Sequence, residues 1–227
     1  MPANMTTLQF VTTRCGAANH PEVTLQFRDQ QPVPVERMLL GYFENGVAAG
    51  RRFLPGQTVQ LGWATLRLCE RSDGTIGVEE REGTDWVESC DRSLMQTWVQ
   101  KEVCQSLGLA EEMSFPRQDQ MAIACDEAHL ADRWLLTRDQ PQDDGDSGWF
   151  IGCFKEPAHN HERPESLLAP ALIQLVERLP FVTQFLALPP GSQVFVDGTA
   201  ERIRPRVFMN GQPLQPLAGS YLEALSN

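Results

Sequence analysis

The alternation of apolar and polar side chains in three consecutive segments restricts the fold more than any other feature of this sequence. TVQLGW (58–63), TLRLCER (65–71) and TIGVEE (75–80) place apolar residues at every second position, which is the period of a half-buried strand. The Asp73-Gly74 pair between the last two segments is a turn signal. The sequence therefore predicts a small antiparallel sheet.

Two segments with helical periodicity flank this predicted sheet. Residues 33–50 and 91–108 each place apolar side chains on one helical stripe, and Asp91 is the predicted N-cap of the second helix. The pattern then breaks in AEEMSFPRQDQ (110–120), where polar residues surround a proline. We place a domain boundary there, between residues 114 and 115.

The second half also mixes strand and helix patterns. MAIAC (121–125), WLLTR (134–138) and GWFIGCF (148–154) predict strands, and residues 164–179 predict a helix that Pro170 must kink or restart. Further predictions are a short helix in 126–133, strand-like runs between 181 and 208, and turns at Pro190-Gly191 and Asp197-Gly198. The expected fold class is α+β, with two small domains, 1–114 and 115–227, each an antiparallel sheet with packed helices.

The chain is acidic, with 19 Lys and Arg against 30 Asp and Glu and a formal net charge of −11. This charge disfavours nucleic acid as a partner, because phosphates need a basic surface. It suits solubility or a basic protein partner. The first ten residues lack the regions of a signal peptide, and no run of about 18 apolar residues predicts a membrane span. We therefore expect a cytoplasmic protein that binds neither membrane nor nucleic acid directly.

Cysteine and histidine are the residues that most often bind transition metals. The six cysteines lie far apart without a C-x-x-C pair, which favours buried thiols over disulfides or metal ligands. His159 and His161 could bind zinc together with Glu156 or Glu162. Because no cysteine lies near them at finger spacing and no H-E-x-x-H motif is present, we interpret them as exposed loop histidines. The expectation is no metal and no cofactor.

The stretch DDGDSGW (143–149) could be a calcium loop or a serine nucleophile. An EF-type loop that starts at Asp144 has Lys155 at position twelve, where a bidentate acid is required. The GDSG motif is similar to that of chymotrypsin-like proteases, but Trp149 follows it and no histidine lies in that family's context. An enzyme is therefore unsupported by these residues.

The same stretch has a structural interpretation. Asp146 and Ser147 can accept backbone N–H groups, Gly148 can adopt positive φ, and Trp149 can anchor the following strand in the core. Asp143 and Asp144 precede this turn. From Asp139 to Glu165 there are seven acidic residues against two basic ones, so this surface should attract cations or a basic protein.

Residues 121–154, followed by LPFVTQFLALPPGSQVFVDG, resemble the thirty-third immunity-protein family of bacterial polymorphic-toxin systems, earlier catalogued as a domain of unknown function. The residues that carry the resemblance are Asp146, Ser147, Gly148, Trp149, Pro180, Leu188, Pro190, Gly191 and Ser192. The similarity covers about residues 120–198 and leaves 1–115 unassigned. One departure is that family members commonly have a further acidic cluster after the tryptophan, whereas GCFKEP holds only Glu156.

The resemblance implies a protein that binds and neutralises a cognate toxin, often one delivered by type VI secretion. The acidic charge and the expected location favour a basic nuclease of the cytoplasm, a DNase, bound 1:1 by occlusion of its active site or substrate surface. The predicted partner-binding residues are Asp139, Asp143, Asp144, Asp146, Trp149, Glu156, His159, His161 and Glu162. An adaptor that loads an effector without inhibiting it, and an enzyme that reverses toxin damage, are the alternatives.

Overall fold

The computed structural model describes residues 7–28, 35–154, 161, 163–199 and 202–226. The chain divides into two compact units, Met1–Trp98 and Val99–Asn227. The division falls within a helix, earlier in the chain than the composition break at 110–120. This division separates compact units, whereas the boundary predicted between residues 114 and 115 separates domains that fold independently. That boundary stays a prediction.

The first unit is a mixed sheet with two helices. Its elements are β1 (Leu8–Val11), β2 (Val23–Phe27), α1 (Glu36–Ala48), β3 (Thr58–Leu61), β4 (Ala64–Glu70), β5 (Ile76–Glu82), β6 (Asp85–Val87) and the first part of α2 (Asp91–Ser106). The strand order is β1-β2-β5-β4-β3, and β6 pairs with β5.

The predicted hairpin is present in the first unit. β4 and β5 pair antiparallel with Glu70 opposite Ile76, and the Asp73 carboxylate accepts the amide of Thr75 at 3.0 Å in the turn between them. The alternation of β4 buries Ala64, Leu66 and Leu68. Leu66 and Leu68 belong to the same core as the buried stripe of α1, Leu39, Phe43 and Val47.

The predicted N-cap of α2 is wrong. The amides of Arg92 and Ser93 donate to the two carboxylate oxygens of Glu80, at 3.2 and 2.6 Å. The Asp91 carboxylate instead accepts the amide of Arg28 at 2.8 Å. Because Glu80 lies on β5, outside the residues that flank the helix, the local sequence of the helix start could not identify it.

The second unit is built around a seven-stranded sheet. Its elements after α2 are β7 (Met121–Cys125), β8 (Arg133–Arg138), β9 (Asp146–Cys153), β10 (Leu167–Leu168), α3 (Leu172–Arg178), β11 (Ser192–Thr199), β12 (Arg202–Met209), β13 (Gln212–Pro213) and α4 (Tyr221–Ser226). The order is β10-β7-β9-β8-β11-β12-β13. Leu136, Ile151 and Val194 on the central strands and Leu172 of α3 are among its fully buried side chains.

The α+β class is confirmed, but the expectation of purely antiparallel sheets is wrong at one pair in each sheet. β2 runs parallel to β5, and β7 runs parallel to β9. Consecutive strands are neighbours in most sheets, and such neighbours usually pair antiparallel. In the second unit β9 lies between β7 and β8, so the two strands that follow one another in sequence do not pair.

Several local predictions in the second half are also wrong. Residues 126–133 contain only a 3₁₀ turn, Ala128–Leu130. Residues 164–168 form a 3₁₀ turn followed by β10 in place of a helix, but a helix does begin after Pro170, as one of the two predicted effects of this proline. Pro180–Phe185 is a 3₁₀ helix, although it was predicted as a strand. Asp197-Gly198 lies inside β11. In the part of the chain that the structure describes, no helix is long and apolar enough to cross a membrane.

Candidate functional site

An acidic turn joins β8 to β9, and its carboxylates hold its backbone in place. Asp143 Oδ1 accepts the amides of Gly145 at 2.7 Å and of Asp146 at 3.1 Å. Asp146 accepts the amides of Gly148 at 2.8 Å and of Gln142 at 2.9 Å. The turn therefore contains a set of Asx hydrogen bonds that fix the carboxylates of Asp143 and Asp146 against the backbone.

Ser147 and Gly148 attach this turn to the sheet. Ser147 is fully buried; its hydroxyl donates to the carbonyl of Met121 at 2.7 Å and accepts the amide of Trp149 at 3.2 Å. Gly148 has φ of +74°, and a Cβ on it would lie 2.1 Å from the carbonyl oxygen of Asp139. No side chain fits at that position, so steric exclusion explains why the motif has glycine there.

Trp149 and Arg138 form the buried support beneath the turn. Trp149 is 1% exposed, and its indole N–H donates to Leu186 O at 3.3 Å. Arg138, its partner on β8, places its guanidinium 5.6 Å from the indole ring and donates to the carbonyls of Ser114, Leu186 and Leu188. Burial lowers the pKa of Arg138 to about 10. The burial of Trp149 removes it from the accessible surface, although it was predicted as a partner-binding residue.

The remaining predicted residues separate into three groups. Asp139, Asp143 and Asp144 are exposed in the acidic turn, and Asp146 is half-buried. His161 lies at the opposite end of β9, where its Nε2 is 3.5 Å from the sulfur of Cys153. Glu156, His159 and Glu162 lie outside the described residues.

Two large apolar side chains lie next to the acidic turn. Met121 is 41% exposed and Ile123 is 43% exposed, on the same face of β7. The amide of Met121 donates to Gly145 O at 2.7 Å, so the start of β7 is fixed to the acidic turn. The accessible surface here combines carboxylates with an apolar pair.

Sequence reasoning missed a second group of side chains, Cys125, Cys153 and His161. Their ligand atoms all lie within 4.8 Å of one another. No disulfide joins any of the six cysteines, all of which lie within the described residues. Burial raises the pKa of Cys125 to about 11, and the hydrogen bond with Cys153 acts in the same direction. The signal that could have revealed the pair is that each cysteine ends an apolar strand, but only the parallel pairing of β7 and β9 brings the ends together.

The fold and the acidic turn define a class: a two-unit α+β protein whose second unit presents carboxylates on a rigid, Trp-anchored turn. Residues 99–205 of this unit match the family model of the Imm33-like domain. This part of the chain, slightly under half of its length, is therefore similar to the immunity-protein-33-like family. Neither a curated protein nor a solved structure matches the chain.

Proposed function

We propose that this protein is an immunity protein that binds a cognate toxin of the cytoplasm and blocks it, and that the toxin is a basic nuclease delivered by type VI secretion. The observation that carries the proposal is the match of residues 99–205 to an immunity-protein family. The net charge of −11 supports a basic partner, since complementary charge accelerates association and fixes orientation.

The proposed contact surface, termed here the acidic-turn surface, consists of Asp139, Asp143 and Asp144 with Met121 and Ile123. The three exposed carboxylates can take the positions that nucleic-acid phosphates occupy on a basic nuclease. The Asx hydrogen bonds of the turn support this role because they fix its backbone before binding, which lowers the entropy cost of association. The exposed apolar pair supplies area that a partner can desolvate, as interface anchors do.

The proposed mode is stoichiometric occlusion of the active site or substrate surface, without catalysis. Neutralising a toxin requires that almost none of it stays unbound, so the dissociation constant should be on the order of nanomolar or below. An interface of about 1,600 Å² is the usual size for such complexes. The acidic-turn surface would be the electrostatic part of a larger contact in a 1:1 complex.

Co-expression with the product of the adjacent gene tests the proposal. We expect the chain to restore growth, to elute with that protein as a 1:1 complex, and to reduce the toxin's activity linearly to zero at one equivalent. A complex that forms without restoring growth would instead identify a loading adaptor. Restored growth at amounts far below one equivalent would identify an enzyme that reverses damage, and either result overturns the proposal.

A further inference from the structure

A cluster of three metal-ligating side chains lies at the end of the second sheet away from the acidic turn. Cys125 is the last residue of β7 and Cys153 is the last residue of β9. Because β7 and β9 are parallel neighbours, both strands end at the same edge of the sheet. The two sulfurs lie 3.4 Å apart, and Nε2 of His161 lies 3.5 Å from the sulfur of Cys153.

These separations match those of ligands around one tetrahedral ion. With Zn–S bonds of about 2.3 Å and Zn–N bonds of about 2.0 Å, tetrahedral geometry places two sulfurs about 3.8 Å apart and sulfur and nitrogen about 3.5 Å apart. All three ligand atoms lie within 4.8 Å of one another. The Cys125–Cys153 and Cys153–His161 distances lie within a few tenths of an ångström of these values, and the Cys125–His161 distance, at most 4.8 Å, would have to be about 3.5 Å in the bound state.

The surroundings keep the imidazole beside the sulfurs. The His161 ring packs edge-on against Phe150, with 5.8 Å between the ring centroids. A Cβ on Gly152 would lie 3.3 Å from Cε1 of His161, so the absence of a side chain at Gly152 leaves space for the ring. The position of His161 thus follows from packing against β9.

We propose that Cys125, Cys153 and His161 form a binding site for zinc(II). Two thiolates and an imidazole suit a borderline-soft ion, whereas calcium and magnesium require oxygen ligands. The fourth position would take a water molecule or the carboxylate of Asp126, whose Oδ1 lies 3.9 Å from the sulfur of Cys125. The ion would connect two strand ends to the segment after β9.

A disulfide between the two cysteines is the competing chemistry. It would require the sulfurs to approach from 3.4 Å to about 2.05 Å. It would not involve the imidazole nitrogen that lies 3.5 Å from the sulfur of Cys153. The metal site accounts for all three side chains.

Metal titration of the purified full-length chain, first freed of metal by chelator, tests the site. Cobalt(II) should bind with one equivalent and give a thiolate-to-metal charge-transfer band, and zinc should displace it. Zinc affinity should fall more than about 100-fold in each of three variants, Cys125→Ser, Cys153→Ser and His161→Ala. Loss of a group that only hydrogen-bonds to a metal ligand lowers affinity by about 10- to 100-fold, and loss of the ligand itself should cost more. Cys104→Ser, which changes another buried cysteine of the same unit, should leave the affinity unchanged.

A measurement on the unaltered protein keeps the proposal testable if a cysteine variant fails to fold. X-ray absorption of the zinc-loaded chain should show two sulfur ligands. Three results would overturn the site. They are a zinc coordination shell without sulfur, a cobalt band that persists in all three variants, and a protein that binds no zinc but forms a Cys125–Cys153 disulfide on mild oxidation. The zinc site and the acidic-turn surface share no residue, and neither proposal is used as evidence for the other.

Discussion

At the scale of the residue, Gly148 shows why the turn motif needs its particular amino acids. Its φ of +74° costs other L-residues about 1–2 kcal/mol. The predicted position of a Cβ, 2.1 Å from the carbonyl oxygen of Asp139, adds a clash with backbone that cannot rotate away. The amide of Asp139 also donates to Gly148 O at 2.9 Å, so the two strands cannot separate there without losing this bond.

Gly148→Ala should therefore lower the free energy of unfolding by about 3–5 kcal/mol, a loss that is large for a single substitution. Gly211→Ala is the matched control, because Gly211 has φ of +77° but nothing within 4 Å of its Cβ position. It should cost only the about 1–2 kcal/mol of the left-handed conformation. Chemical denaturation of both variants measures the difference, and equal losses would show that the clash with Asp139 is relieved at no cost.

The residue scale also separates what the sequence could and could not reveal about the site. The glycine, the Asx residues and the tryptophan of the turn have local chemistry, so their structural interpretation follows from the sequence. The burial of Trp149 under Arg138 depends on carbonyls of Ser114, Leu186 and Leu188, which are remote in sequence. Sequence reasoning therefore assigned an interface role to a side chain that lies in the core.

At the scale of the element, the first turn of the helix α2 depends on the carboxylate of Glu80, which lies on the strand β5. Glu80 is 4% exposed and accepts two amides of the first helical turn. A carboxylate at this position satisfies N–H groups that have no partner within the helix and interacts favourably with the helix dipole. The contact fixes α2 to β5.

Glu80→Gln should lower the free energy of unfolding by about 1–2 kcal/mol, because one acceptor oxygen becomes an NH₂ group that faces a helix amide. Glu82→Gln is the control on the same strand: it removes an exposed ion pair with Arg28 and should change stability little. Thermal unfolding followed by circular dichroism compares the two. If both variants unfold at the same temperature, Glu80 does not act as the cap.

Individual helices and strands were predictable because their periodicity is local. The pairing of strands that are distant in sequence was not. β4, β5, α1 and β9 follow from the spacing of their own apolar residues. The parallel pairs β2 with β5 and β7 with β9 do not, because no local signal tells which distant strand becomes the neighbour. The Cys125, Cys153 and His161 cluster was missed for the same reason, since it exists only through the pairing of β7 with β9.

At the scale of the whole molecule, the net charge of −11 and the fixed acidic turn should act together on association. Under the proposed function, the overall charge should attract a basic partner from a distance, and the carboxylates of Asp143 and Asp144 should determine which surface the partner meets. Salt weakens both effects, since the Debye length falls to about 10 Å at 0.1 M. The rate of association with the toxin should therefore decrease as salt concentration rises.

The double variant Asp143→Asn and Asp144→Asn tests whether the turn contributes more than its share of the charge. Asparagine keeps an acceptor oxygen for the Asx hydrogen bonds, so the turn should persist while two charges are lost. We expect association with the toxin to slow by about two- to tenfold at low salt and its dependence on salt to become weaker.

The control variant, Glu111→Gln with Glu112→Gln, removes the same charge from two exposed neighbouring residues of the second unit and should slow association less. Stopped-flow association rates over a series of salt concentrations distinguish the two variants. Equal rates and equal slopes would show that only the total charge matters and that the acidic turn does not contact the partner.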